Sequence, residues 1–166
     1  MTTTEDNLKQ AFAGESQANR KYLAYAKKAA AEGYPQIAKL FRAAADAETI
    51  HAHGHFNALG GVHSTLDNLK DAVAGETYEY TEMYPPMLEL AQKEGHKAKV
   101  MFGFALKAEE VHARLYRNAL ESLQAGSDLA VTDVYLCTVC GNIEVGKPQA
   151  KCALCGAPPD KFVAVS

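Results

Sequence analysis

Two related stretches of sequence decide the fold: LFRAAADAETIHA at Leu40–Ala52 and MFGFALKAEEVHA at Met101–Ala113. Apolar residues recur in both at the three- and four-residue spacing of an amphipathic helix. The two stretches are offset by 61 positions, and AFAGES at Ala11–Ser16 and AVAGET at Ala72–Thr77 share that offset. The first 126 residues therefore contain a duplication, which predicts two equivalent halves with a pseudo-two-fold site between them.

Four long helices are predicted in this duplicated region, each about 25–30 residues long. Glycine or proline marks most of their ends, and short loops between such long helices favour an antiparallel bundle. The predicted spans are Thr4–Glu32, Pro35–Leu59, Thr65–Gly95 and His96–Ala125.

The third predicted helix contains two irregularities. Pro85 and Pro86 should kink or split it, because proline lacks the N–H that a helix interior needs. Between Thr77 and Tyr84 the second half carries one residue more than the first, since the offset of matched residues rises from 61 to 62. An extra residue inside a helix is commonly absorbed as a π-bulge, so we expect one near Glu79–Tyr84.

The duplication puts ionisable residues at matched positions. Glu48-x-x-His51 and Glu109-x-x-His112 each have a carboxylate and an imidazole on one helix face. Glu15 and Glu76 are matched single carboxylates on the other two helices. One Glu from each of two helices, with Glu-x-x-His from each of the other two, is the ligand set of di-iron or di-manganese bundles. Buried glutamates without a partner would be very costly, so the pattern predicts bound cations rather than solvated faces.

Three further residues extend this candidate site. Glu79 lies one turn after Glu76 on the same face and has no counterpart in the first half. We interpret it as a seventh ligand, which gives the metal near His51 a choice of carboxylate or imidazole. Tyr22 and Tyr84 are matched between the halves, and we expect them to donate hydrogen bonds to the ligating carboxylates. The alternatives are that Glu79 is a solvated acid and that the two tyrosines are core residues.

All four cysteines lie close together near the C-terminal end, after a predicted linker at Asp128–Asp133. They form two knuckles, Cys137-x-x-Cys140-Gly141 and Cys152-x-x-Cys155-Gly156, which favours a tetrahedral metal site over a disulfide scaffold. The segment is too short to be stable through apolar burial alone, so we expect the metal to stabilise it. Spacing does not separate iron from zinc, although an electron-transferring iron has the more obvious purpose beside a di-metal bundle.

Composition and charge limit the classes of function. The chain has 166 residues, of which 48% are hydrophobic, and a formal net charge of −3. This charge argues against a nucleic-acid partner bound through a basic surface. No apolar run approaches the roughly 18 residues of a membrane span, so we expect no membrane insertion. The polar, acidic N-terminus lacks the features of a signal peptide, and we expect a cytoplasmic protein.

These motifs together resemble the rubrerythrin family, in which a ferritin-like di-iron bundle is fused to a rubredoxin-like domain. The resemblance rests on FAGESQA, AETIHA, GETYEYTEMYP, AEEVHA and the two CxxCG knuckles, with CGAPPDKF typical of rubredoxin. It covers nearly the whole chain. It implies an all-α four-helix ferritin-like bundle in residues 1–130 and a small C-terminal rubredoxin-like β/loop metal domain in residues 131–166.

The resemblance also implies how the metals are held. Glu48 and Glu109 would bridge two irons. Glu76 and His112 would hold one of these irons, while Glu15 and either Glu79 or His51 would hold the other. The implied di-iron ligands are Glu15, Glu48, His51, Glu76, Glu79, Glu109 and His112, and one further iron would be held by Cys137, Cys140, Cys152 and Cys155.

The activity implied by the resemblance is the reduction of hydrogen peroxide to water, a defence against oxidative stress. Electrons would come from NAD(P)H through a rubredoxin reductase or a similar donor, and would reach the di-iron centre through the rubredoxin-like iron. Two ferrous irons can together supply the two electrons that break the O–O bond without releasing a radical. The alternatives are a ferroxidase or iron-handling protein, an oxygen-reducing oxidase or oxygenase, and a redox-sensing module.

Only Gly60–Ser64 connects the second predicted helix to the third, whereas some members of the family have a longer connection. In a ferritin-like bundle this connection must cross from one end to the other. The crossing spans roughly 33 Å along the axis, whereas six Cα steps reach only about 20 Å. We therefore expect a homodimer in which the first two helices of one subunit pack with the last two of another. The alternative is an up-down-up-down bundle within one chain.

Overall fold

The computed structural model describes residues 2–130 and 133–165. The chain separates into two compact units, one ending at His63 and the other beginning at Ser64. The boundary after residue 130, which rests on composition and resemblance, stays a prediction. Of the predicted linker Asp128–Asp133, residues 131 and 132 lie outside the described part of the chain.

The first unit is a hairpin of two helices, α1 (Thr4–Ala31) and α2 (Pro35–Ala58). Thr3 and Asp6 form a capping box at the start of α1, in which each side chain accepts a hydrogen bond from the other residue's backbone N–H. Gly33 has a φ of +83°, which favours glycine, and it turns the chain just before α2 begins.

A hydrogen bond between the two helices sets their alignment. The Asn19 Nδ2 donates to the carbonyl oxygen of Ala45 at 2.7 Å and to the Thr49 hydroxyl at 2.8 Å. Asn19 follows Glu15 by one turn, and Thr49 directly follows Glu48. These bonds therefore hold the two carboxylates at the same level of the hairpin. The other buried residues of α1 and α2 are alanines, whose small side chains let the helices approach closely.

The second unit begins with an interrupted helix. Helix α3 (Thr65–Tyr78) runs into a π-helical segment (Glu79–Met83), and then α4 (Tyr84–Lys93) continues the chain before it returns through α5 (Ala98–Gln124). The Tyr84 N–H donates to the carbonyl of Glu79, five residues earlier, which is the π-helical spacing. The π-bulge expected from the extra residue is confirmed.

The π segment also explains where the prolines stand. Pro85 and Pro86 lie in the first turn of α4, directly after the π segment, so the predicted third helix is split ahead of them. Arg117 of α5 donates to the Thr77 hydroxyl at 2.9 Å and to the Tyr80 hydroxyl at 3.3 Å. These bonds tie α5 to the end of α3 and to the π segment itself.

The C-terminal part of the second unit is a small sheet around the cysteines. Strands β1 (Val134–Cys137), β2 (Ile143–Val145) and β3 (Phe162–Val165) pair antiparallel in the order β2-β1-β3. A single 3-10 turn, Pro159–Lys161, leads into β3. Three cysteines, Ala157 and Phe162 form the buried core, against which Phe104 of α5 packs. So small an apolar core agrees with the expectation that a metal stabilises this segment.

Helix α5 begins at Ala98 rather than at the predicted His96. The Ala98 N–H donates to the His96 Nδ1 at 3.1 Å, so the imidazole accepts from an N–H at the start of the helix that has no intrahelical partner. Among the described residues, no helix combines the length and the apolar character that a membrane crossing requires.

Candidate metal centres

The first unit holds one cluster of predicted ligands. Glu15 on α1 and Glu48 and His51 on α2 offer ligand atoms that all lie within 4.8 Å of one another. The His51 Nδ1 is 2.9 Å from a Glu48 carboxylate oxygen and 4.0 Å from one of Glu15. His51 is 55% exposed, whereas the Glu48 side chain is 18% exposed. The three donors therefore lie on a partly open face of the hairpin.

The second unit holds the matching cluster, and it is more buried. Glu76 on α3 and Glu109 and His112 on α5 again offer ligand atoms within 4.8 Å of one another. The His112 Nδ1 is 2.7 Å from a Glu109 oxygen and 3.7 Å from a Glu76 oxygen. The side chains of all three are less than a quarter exposed. The offset of 61 residues thus produces the same arrangement of donors in both halves.

The second cluster carries more negative charge than its surroundings favour. Burial raises the pKa of Glu76, and the neighbouring charge of Glu109 raises it further, whereas His112 lowers it. Burial and the charge of Glu76 likewise raise the pKa of Glu79, against the effect of His112. A cation bound among these carboxylates would remove this mutual repulsion.

Glu79 and the two tyrosines stand apart from the six clustered residues. The carboxylate of Glu79 lies outside the tight cluster, in the π segment, so its role as a seventh ligand stays a prediction. Burial raises the pKa of Tyr84, and the charges of Glu79 and two other glutamates raise it further, so its hydroxyl lies near the carboxylates. The ring centroids of Tyr22 and Phe41 are 6.3 Å apart. The hydrogen bonds expected from both tyrosines also stay predictions.

The four cysteines form a third cluster with the size of a metal site. The sulfur atoms of Cys137 and Cys155 are 3.7 Å apart, and those of Cys140 and Cys152 are 3.6 Å apart. A tetrahedral ion with metal–sulfur bonds of about 2.3 Å has its sulfurs about 3.8 Å apart. All four sulfurs lie within 4.8 Å of one another, so they fit one tetrahedral ion.

Backbone N–H groups point at these sulfurs. Burial raises the pKa of the Cys140 thiol, and a hydrogen bond from the Asn142 backbone N–H opposes this. At Cys152 burial also raises the pKa, but hydrogen bonds, led by those from the Cys155 and Leu154 backbone N–H groups, outweigh it and lower the pKa. The N–H donors therefore favour the thiolate, which is the form that binds a metal, at Cys152, whereas burial outweighs the donor at Cys140.

One hydrogen bond links the four-cysteine cluster to the second carboxylate cluster. The His112 Nε2 is 2.9 Å from the carbonyl oxygen of Gly141, the residue after Cys140. A carbonyl can only accept, so Nε2 carries the hydrogen of this bond. Nδ1, beside Glu109, is then the ring nitrogen that a metal would bind.

Sequence reasoning did not identify three of the residues that shape these sites. Gly141 entered the prediction only as the last residue of the first knuckle motif, and its bond to His112 joins residues that are 29 positions apart. Arg117 carries no motif. Asn142 could have been noticed, because the corresponding residue of the other knuckle is Ala157.

The chemistry of these donor sets fits iron. Four carboxylates and two imidazoles, three donors from each unit, are the set of a di-iron centre, and the four thiolates suit one rubredoxin-type iron. The predicted cofactors therefore agree with the residues that the structure brings together.

Comparison with known proteins gives the same result. The family model described as Rubrerythrin matches residues 6–120. Rubrerythrin-2 of Clostridium acetobutylicum is 38% identical over 97% of this chain and 96% of its own length. Nigerythrin of Nitratidesulfovibrio vulgaris is 39% identical over 98% of this chain and 86% of its own.

Solved structures of nigerythrin share the fold. The fully reduced, all-ferrous state is 37% identical, with a TM-score of 0.58, over 99% of this chain and 88% of that one. The partially reduced state has a TM-score of 0.57 over the same shares. The predicted fold class, an all-α ferritin-like bundle with a small rubredoxin-like domain, is confirmed. With the sequence, the fold and the ligand clusters in agreement over almost its whole length, the chain belongs to the rubrerythrin family.

Proposed function

We propose that this protein reduces hydrogen peroxide to water at a di-iron centre, with electrons that come from NAD(P)H through a separate reductase. Rubrerythrins are di-iron oxidoreductases, and peroxide reduction is the activity that these donor sets suit best. Nigerythrin has been solved in partially reduced, mixed-valent and all-ferrous states. Iron that changes valence in so similar a protein supports a redox role for this chain.

The observation that best supports the proposal is that the two ring nitrogens of His112 contact two different clusters. Its Nδ1 lies among the carboxylates, and its Nε2 donates to the carbonyl next to Cys140. A ferroxidase or a storage protein has no need of a four-cysteine site in contact with a ligand of its di-iron centre. An enzyme whose di-iron centre must be reduced again after each reaction needs such a site to deliver the electrons.

The chain's own residues prepare the site for metal. When bound, the di-iron pair would supply the two electrons that break the O–O bond, and the four-cysteine iron would supply their replacements. Glu76 and Glu109 provide the negative charge that holds the cations, and the bond from His112 to Gly141 fixes the imidazole with Nδ1 available. The bonds from Arg117 hold the π segment, which carries Glu79, against α5.

We further propose that the working form is a cytoplasmic homodimer with exchanged helices. Each unit supplies three of the six clustered ligands, so a complete centre needs one unit of each kind. Only Leu59–Ser64 connects α2 to α3, which is too short for the crossing of a ferritin-like bundle. Pairing the first unit of one subunit with the second unit of another avoids this crossing. We place the boundary of the rubredoxin-like domain after residue 130.

The reaction with oxidants tests the proposed activity. Iron-loaded protein, reduced without oxygen, is mixed rapidly with hydrogen peroxide or with oxygen, and the visible band of the ferric four-cysteine iron is followed. We expect the band to return quickly with peroxide and slowly with oxygen. A faster response to oxygen would favour an oxidase or a ferroxidase. Bound metal without any visible band would mean that the cysteines hold zinc, which would contradict electron delivery.

Subunit exchange tests the shared site. Glu48→Ala and Glu109→Ala each damage one cluster, so each variant alone should lack intact di-iron centres. In mixed dimers with exchanged helices, the two undamaged units meet, and one of the two centres should recover its iron and its activity. Each variant subjected to the same exchange with itself is the control. Dimers that mix but recover no intact centre would contradict the exchange.

The stability of the metal-free protein tests whether the clustered carboxylates bind metal at the expense of folding stability. The raised pKa of Glu76 means that its ionisation opposes folding. Its contribution to the free energy of unfolding therefore falls as the pH rises. Glu76→Gln should therefore raise the free energy of unfolding of the metal-free protein at neutral pH, with the gain fading at low pH, while iron binding weakens. Glu89→Gln, at an exposed position on α4, should change neither. A metal-free Glu76→Gln protein that is no more stable than the wild type would contradict this account.

A further inference from the structure

The two cysteine knuckles have the same backbone but not the same side chains. In the first, the Cys137 N–H donates to the carbonyl of Asn142 at 2.8 Å. In the second, the Cys152 N–H donates to the carbonyl of Ala157, also at 2.8 Å. Asn142 and Ala157 therefore occupy equivalent positions, and alanine suffices there for the backbone of a knuckle. The amide side chain of Asn142 must serve something other than the turn.

This amide lies between two acceptors. Asn142 is only 4% exposed, and its Nδ2 is 3.1 Å from a Glu144 carboxylate oxygen and 3.7 Å from the sulfur of Cys152. A carboxylate and a thiolate both accept hydrogen bonds, so the NH₂ group and not the amide oxygen must face them. Glu144 takes one hydrogen, and the second is directed at the sulfur.

We propose that the Asn142 side chain sets the reduction potential of the four-cysteine iron through this N–H···S hydrogen bond to Cys152. The inference rests on the proposed role of that iron in delivering electrons. An iron with four thiolates carries one negative charge when ferric and two when ferrous. Adding one electron therefore increases the negative charge on the sulfurs, and a hydrogen bond to a sulfur stabilises the reduced form more than the oxidised form.

The surroundings make this bond effective. Because Asn142 is buried, water does not compete strongly for the sulfur, and the bond acts in a medium of low dielectric constant. Asn142 also directly follows Gly141, whose carbonyl accepts the bond from His112. The same loop thus contacts the second carboxylate cluster and adjusts how readily the four-cysteine iron accepts an electron.

An equilibrium redox titration of the iron-loaded protein tests the proposal. The visible band reports the ferrous-to-ferric ratio while dithionite is added in the presence of a redox dye of known potential. In Asn142→Ala, which copies the other knuckle, this ratio at a fixed potential should fall on the order of fivefold, the weight of one hydrogen bond. Asn142→Asp, which keeps the shape without an N–H, should lower it at least as much. Gln149→Ala, an exposed change between the knuckles, should leave it unchanged.

Iron content separates this tuning from a merely structural role. We expect both Asn142 variants to retain the four-cysteine iron. If either retains it with the ferrous-to-ferric ratio of the wild type, the proposal is wrong. If the iron is lost from Asn142→Ala although Ala157 supports the second knuckle, a structural role replaces the proposed one. The titration contains no peroxide, so an unchanged potential refutes the tuning alone, and a failure to reduce peroxide refutes the proposed function alone.

Discussion

The repulsion among the clustered carboxylates of each unit is the constraint on which the rest of the structure depends. Burial, followed by the charge of a neighbouring carboxylate, raises the pKa of Glu76 and of Glu79, and Glu15 and Glu48 lie close together in the first unit. Cations offset this repulsion. The bonds from Asn19 to α2, and those from Arg117 to the end of α3 and to the π segment, hold the helices of each unit in register. Much of the helical architecture therefore serves to hold negative charge where metals can neutralise it.

In the second unit, the carboxylate cluster is linked to a site of different chemistry, the four-cysteine cluster. Backbone N–H groups donate to the sulfurs of Cys140 and Cys152 in the knuckles, and the clustered carboxylates of the helices offer ligand atoms for cations. His112 touches both, because it lies near Glu76 and Glu109 and donates to the carbonyl of Gly141. Phe104 packs against the cysteine core from the same helix. The second carboxylate cluster and the four-cysteine cluster are thus both in contact with α5.

The duplication was enough to predict the helices, the six residues that form the two carboxylate–imidazole clusters, and the π segment, because a repeat aligns equivalent positions. The extra residue before Tyr84 located the bulge for the same reason. The repeat does not predict contacts between residues that are far apart in the sequence and have no matched partner. The bond from His112 to Gly141 and the approach of Asn142 to Cys152 depend on how the small sheet folds. Helix α5 begins within two residues of the predicted start, and the His96 imidazole accepts from its first N–H.

Mössbauer spectroscopy of the iron-loaded protein tests the central claim most directly, because it distinguishes iron held by four thiolates from iron held by carboxylates and imidazoles. We expect two irons of the second kind for each iron of the first, with the pair showing the magnetic coupling of a carboxylate-bridged centre. We also expect the coupled signal to disappear when Glu109 is replaced while the thiolate iron remains. A protein that binds iron only at the cysteines, or only as uncoupled single ions in the helices, would contradict this claim.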